Sequence, residues 1–136
     1  MRNIYKMLIL LSFIACNEKV VELEKLSVSE NIKREINNSS RELGIICYFE
    51  GECSFCYGNI MNINKNLSDT PLTIITQTTD TVLINYNLDK IDFKGNLIID
   101  STSHFYKKNE NVLKHNKLLL VNSNYEILKK SKVSYG

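Results

Sequence analysis

The sequence predicts a mixed α/β fold, a sheet flanked by helices that closes in a C-terminal β-hairpin. Three observations predict it. "GIICYF", residues 44 to 49, is a continuous apolar run, as in a strand buried on both faces of a parallel-containing sheet. Polar-punctuated segments of helical length alternate with further apolar runs. Near the end, "NKLLLVNSNYEILKKSKV" reads as two strands around the turn "NSN".

The elements follow in order. Residues 17 to 42 are rich in Glu, Lys, Asn and Ser, and their apolar positions Val21, Leu26, Ile32 and Ile36 recur loosely, so a tether with some helix over about 28 to 37 is expected. After the first strand, "EGECS" breaks the run. Ser54 to Leu67 then suits a helix with Phe55, Ile60, Ile63 and Leu67 inward. "TPLTIITQT" is a strand with Pro71 at its beginning, where a missing N–H is tolerated. "DTVLINYNLDKI" fits either a helix or an irregular strand, and a short helix is favoured. "GNLIID" reads as a brief strand, and "FYKKNENVLKHNK" as a loop or short helix.

The first sixteen residues bear on compartment. Arg2 and Lys6 precede the uncharged run Met7 to Ala15, which is too short to span a bilayer but has the length of a signal-peptide core. It ends in "FIAC", and this resembles the lipobox of bacterial lipoproteins, with Phe13 where Leu is usual. The resemblance implies a signal peptide over residues 1–15, lipidation at Cys16, and a tether over 16–42 leading to a folded domain over 43–136. It further implies an extracytoplasmic protein held by its lipid on the cell membrane or outer membrane, where disulfides persist. The alternative is a buried apolar segment with a chance cysteine. Of 17 Lys and Arg, Arg2 and Lys6 would be removed, leaving 15 against 15 Asp and Glu. That balance offers no electrostatic footprint for nucleic acid.

Cys53 and Cys56 are the chemical signal. A C-x-x-C at a helix start has a reason to be reactive, because unpaired N–H groups and the helix dipole favour thiolate there. Cys53 would attack a disulfide and Cys56 would resolve the mixed intermediate. Glu50 and Glu52 oppose that activation, and no Lys or Arg lies between Gly44 and Asn64 to counter them. A structural bridge is the competing reading, although so short a loop removes little unfolded-state entropy. A zinc site would need a fourth ligand beside Cys47, Cys53 and Cys56. His104 and His115 have no ligand partner at close spacing and read as surface residues, and Cys47 reads as a buried free thiol, so no metal site is assigned. Phe55 and Tyr57 flank Cys56 and are candidates for a substrate groove or for packing. No phosphate loop or G-x-S-x-G is present.

A strand, "ECSFC" opening a helix, another strand and a terminal hairpin together resemble the thioredoxin-like fold. The likeness is to extracytoplasmic, often membrane-tethered members of its peroxiredoxin and thiol–disulfide oxidoreductase branches, and it covers about residues 40 to 136. It implies catalytic Cys53 and Cys56, no cofactor, protein thiols or disulfides of the cell envelope as partners, and a membrane reductant to restore the dithiol. Two departures stand out. Glu52 occupies the place of the usual Trp, and the cis-proline expected near Asn116 is absent, the only proline being Pro71. A non-catalytic lipoprotein of the same fold, with a binding or assembly role, is the alternative.

Overall fold

The computed structural model describes residues 21–36, 42–50, 54–115 and 117–132. The signal-peptide and lipidation readings, Glu52 and Cys53 lie outside these residues, as do the side chains of Glu50 and Phe55.

Five strands form one sheet in the order β3-β2-β1-β4-β5. They are β1 (Leu43–Glu50), β2 (Leu72–Gln77), β3 (Asn96–Ile99), β4 (Leu118–Asn122) and β5 (Ile127–Ser131). The first three are parallel, with Cys47 opposite Ile74 and Ile75 opposite Ile98. β4 runs antiparallel to β1, and β5 antiparallel to β4. The continuous run in β1 has the expected cause, since this central strand is buried on both faces. Ile46 and Tyr48 enter one apolar cluster; Ile45, Cys47 and Phe49 enter the other. Burying each such side chain contributes roughly 1.5–3 kcal/mol.

The first cluster is covered by α1 (Glu30–Ile36), α4 (His104–Lys108) and α5 (Glu110–Leu113), which supply Ile32, Ile36, Phe105, Val112 and Leu113. The second lies under α2 (Ser54–Asn66) and α3 (Thr81–Lys90). The ambiguous segment 80–91 is helical: Asp80 caps it by accepting the Leu83 N–H at 2.9 Å, and Ile84 and Leu88, one turn apart, face the core. Along α2 the inward positions are Cys56, Ile60 and Ile63. Leu67, expected inward, lies just past the helix end and is 47% exposed, a correction that follows from where the helix stops.

The segment read as a tether is more than that. Leu26 is 3% exposed and belongs to the first cluster. Lys25 bridges Glu126, the Leu26 N–H donates to Tyr125 O at 2.9 Å, and the Ile127 N–H donates to Glu24 O at 2.7 Å. The Asn109 side chain clamps the same stretch, accepting the Ser27 N–H at 2.7 Å and donating to Ser27 O at 2.9 Å and to Phe105 O at 2.8 Å. Gly95 allows a close crossing, since a Cβ there would sit 2.0 Å from Leu72 O.

Candidate functional site

In an α/β sheet, chemistry collects where parallel strands end, because the chain leaves the sheet there into loops and helix N-termini. β1, β2 and β3 all end on one edge, and α2 begins there, four residues after β1 ends. The chain returns to the same edge at the start of β4, where Lys117 O accepts the Tyr48 N–H at 2.8 Å. The position expected to resemble the cis-proline site, Asn116, is the residue before it and lies outside the described residues. Pro71 precedes β2, where its carbonyl accepts the Ile45 N–H at 2.8 Å on the opposite edge. It is therefore remote from the start of α2.

Cys56 is the third residue of α2, 4% exposed, and is disulfide-bonded. Cys47, on the neighbouring strand and facing the same cluster, is a free thiol. Burial pushes the Cys47 thiol from its ordinary 9.0 up to about 12. It is chemically quiet at neutral pH, because the thiolate is the nucleophile. The two sulfurs thus divide into one that is bonded and one that is inert, within a single cluster.

The surroundings of this edge are well fixed. The Phe49 ring meets Tyr57 edge-on at 5.8 Å and 70°, so Tyr57 packs half-buried against the wall of the site. Thr76, fully buried in β2, donates its hydroxyl to Phe49 O at 2.9 Å, tying the ends of two strands together. Asp100, at the end of β3, accepts the N–H groups of His104 and Phe105 at 3.0 Å and of Tyr106 at 3.4 Å. Tyr48 stacks on Tyr106 at 5.4 Å, and the Lys117 ammonium lies 5.2 Å and 5.4 Å from the two ring centres.

The sequence reading missed Thr76, Asp100 and Lys117. Asp100 carried a usable signal, since an Asp between a strand and a helical run is a cap residue. Thr76 and Lys117 carried none, because their partners are distant in sequence. His104 and His115 are both exposed, as expected of surface residues. Among the described residues no three His, Cys, Asp or Glu side chains are grouped to hold a metal, and no helix is long and apolar enough to cross a membrane.

The sequence matches no family model and no curated protein. The fold does match solved structures. One is a disulfide oxidoreductase secreted by Mycobacterium tuberculosis and homologous to E. coli DsbE, with TM-score 0.55 and 7% identity over 70% of this chain and 72% of that one. Another is the thioredoxin domain of a thiol-disulfide oxidoreductase from Bacteroides vulgatus, with TM-score 0.54 and 12% identity over 76% of this chain and 75% of that one. The chain has a thioredoxin-like fold, a mixed five-stranded sheet with helices on both faces and a C-terminal hairpin. That is the architecture expected from the strand, helix and hairpin pattern of the sequence.

Proposed function

We propose that the protein is a membrane-anchored lipoprotein that exchanges disulfides with proteins of the cell envelope through Cys53 and Cys56. The observation that carries the reading is a disulfide-bonded, buried Cys56 in the first turn of the helix that follows β1 in a thioredoxin-like sheet. The chain has four cysteines, and Cys47 is free, which leaves Cys16 or Cys53 as the partner of Cys56. Cys53, three residues away in the sequence, is the partner we adopt. Lipidation at Cys16 would remove the other candidate.

In the reducing direction the pair starts as a dithiol. The Cys53 thiolate attacks one sulfur of a substrate disulfide, and the other substrate sulfur leaves as a thiolate. The Cys56 thiolate then attacks Cys53, releasing the second substrate thiol and closing the Cys53–Cys56 bond. Two electrons pass to the substrate, and a membrane dithiol must return two to the pair. The helix N-terminus favours the Cys53 thiolate, and Tyr57, half-buried against the core residue Phe49, offers a substrate backbone an apolar surface.

The test is a disulfide-reduction assay with two variants. Cys53→Ser is expected to abolish turnover, and Cys56→Ser to accumulate mixed disulfides with substrate. Full turnover by both variants would leave the bridge as a structural link in a scaffold that binds without catalysis.

A further inference from the structure

The open side of the hairpin supports a more specific statement, which rests on the lipid-anchoring part of the proposed function. We propose that the groove between Leu67, just past the end of α2, and the β4–β5 hairpin, with the lysines of residues 129–132, is the face on which the protein lies against an anionic lipid surface.

The groove is about 290 Å³ and is lined by Ile45, Leu67, Leu118, Leu120, Lys129, Lys130 and Ser131. Its floor follows from sheet alternation. Leu119 and Val121 turn to the first cluster, while Leu118 and Leu120 face the other side, with Lys129 opposite Leu120 and Ser131 opposite Leu118. Helix α2 ends at Asn66, and no described element covers this side of β5. Leu67 and the nearby Leu128 remain 47% and 43% exposed.

Charge chooses the occupant. Residues 127 to 132, "ILKKSK", hold three lysines and no acid, a local basic cluster in a chain whose processed form has no net charge. Lys130 is paired with Glu24, whereas Lys129 and Lys132 make no ion pair among the described residues. Lysines along an exposed edge strand discourage a second copy from pairing there, since like charges would meet. An anionic bilayer has the opposite preference, and each lysine at its surface strengthens association by about fivefold.

Chain length places the bilayer within reach. Glu24 is hydrogen-bonded to Ile127, and eight residues separate it from Cys16, a span of at most about 29 Å. The pairing of Lys25 with Glu126 is antiparallel, so towards its N-terminus the segment heads in the direction of Lys129 and Lys132, as the Glu24–Lys130 contact shows. A lipid at Cys16 is therefore within about 29 Å of β5, the strand that borders the groove.

Lysine acylation, read by mass spectrometry on protein purified from the membranes of the producing cells, tests this. The protein is placed on phosphatidylcholine vesicles with and without phosphatidylglycerol. Lys129 and Lys132 are expected to react at least about fivefold more slowly when phosphatidylglycerol is present, and high salt is expected to erase the difference. Lys107 and Lys108 on α4 should react alike throughout. Equal rates at Lys129 and Lys132 on both vesicles, with the protein acylated at Cys16 and floating with lipid, overturn the docking face and leave the anchor intact. Protection that already exists in detergent and grows with protein concentration assigns the groove to a second copy and overturns it too. A Cys16 peptide without acyl mass overturns both the anchor and the face.

Discussion

The two faces of the sheet bury similar strands but are finished differently. The face carrying Tyr48, Leu119 and Phe105 is sealed. Helices α1, α4 and α5 cover it, Leu26 plugs it, and Asn109 and Asp100 hold the covering segments with hydrogen bonds. The face carrying Cys47, Cys56 and Ile60 is closed by α2 and α3 over β1 and β2 but stays open beside β4 and β5. A small domain gains most of its stability from apolar burial. One face can therefore hold the molecule together while the other keeps a bonded cysteine near its rim and an uncovered groove.

The contrast is sharpest at Phe105, a fully buried ring on the sealed face. Phe105→Ala is expected to lower unfolding stability by ~3–5 kcal/mol in urea titration, through lost transfer energy and a residual cavity. The disulfide state of Cys56 in the remaining folded protein should be unchanged. A loss under about 1 kcal/mol would mean that the sealed face is not what holds the fold.

Asn109 tests the polar part of the seal. Asn109→Ala takes the side-chain partner from the Ser27 N–H and the Ser27 carbonyl, while Phe105 O keeps the backbone N–H of residue 109, and is expected to cost ~1–3 kcal/mol. Hydrogen exchange at Ser27 and Leu26 should accelerate, while the amides of α2 hold their protection. Uniform acceleration across both faces would erase the distinction drawn between them.

Cys47 tests the open face through pH. Its thiol is held near 12 when folded, against 9.0 ordinarily, so the folded state keeps the proton that the unfolded state releases. The stabilising contribution is complete below about pH 9 and is lost as pH rises towards 12, amounting to about 2 kcal/mol between about pH 8 and about pH 10.5. Cys47→Ala should flatten the alkaline slope of the stability curve by that amount, and identical slopes would show the thiol to be less buried than described. The smallest effect belongs to the open groove, where Leu67→Ala is expected to change stability by less than about 0.5 kcal/mol.

Much of this was legible in the sequence because the strong signals are local. The run Ile45 to Phe49 reports burial on both faces by its continuity, and "LLLVNSN" reports a strand and its turn. The helix at 81–90 was ambiguous because Thr81, Val82 and Ile84 are β-branched, and what decides it is the cap by Asp80 with Ile84 and Leu88 against the sheet. The docking of Leu26 was not legible. One apolar residue in a polar stretch gives no period, and the Asn109 clamp spans 82 positions. For the site, the C-x-x-C spacing and the buried, free Cys47 could be read directly. Thr76 and Lys117 could not, because they act through backbone and ring partners brought near only by strand pairing.

The most direct test of the central claim is a redox titration of the processed protein against glutathione, counting alkylated thiols at each poise. The expected result is a reversible two-electron transition between roughly −300 and −120 mV, with Cys53 alkylated faster than an ordinary cysteine and Cys47 untouched until unfolding. A pair that stays oxidised across the whole range, or a Cys53 no more reactive than a free thiol, would contradict disulfide exchange and leave a thioredoxin-shaped scaffold with a structural bridge.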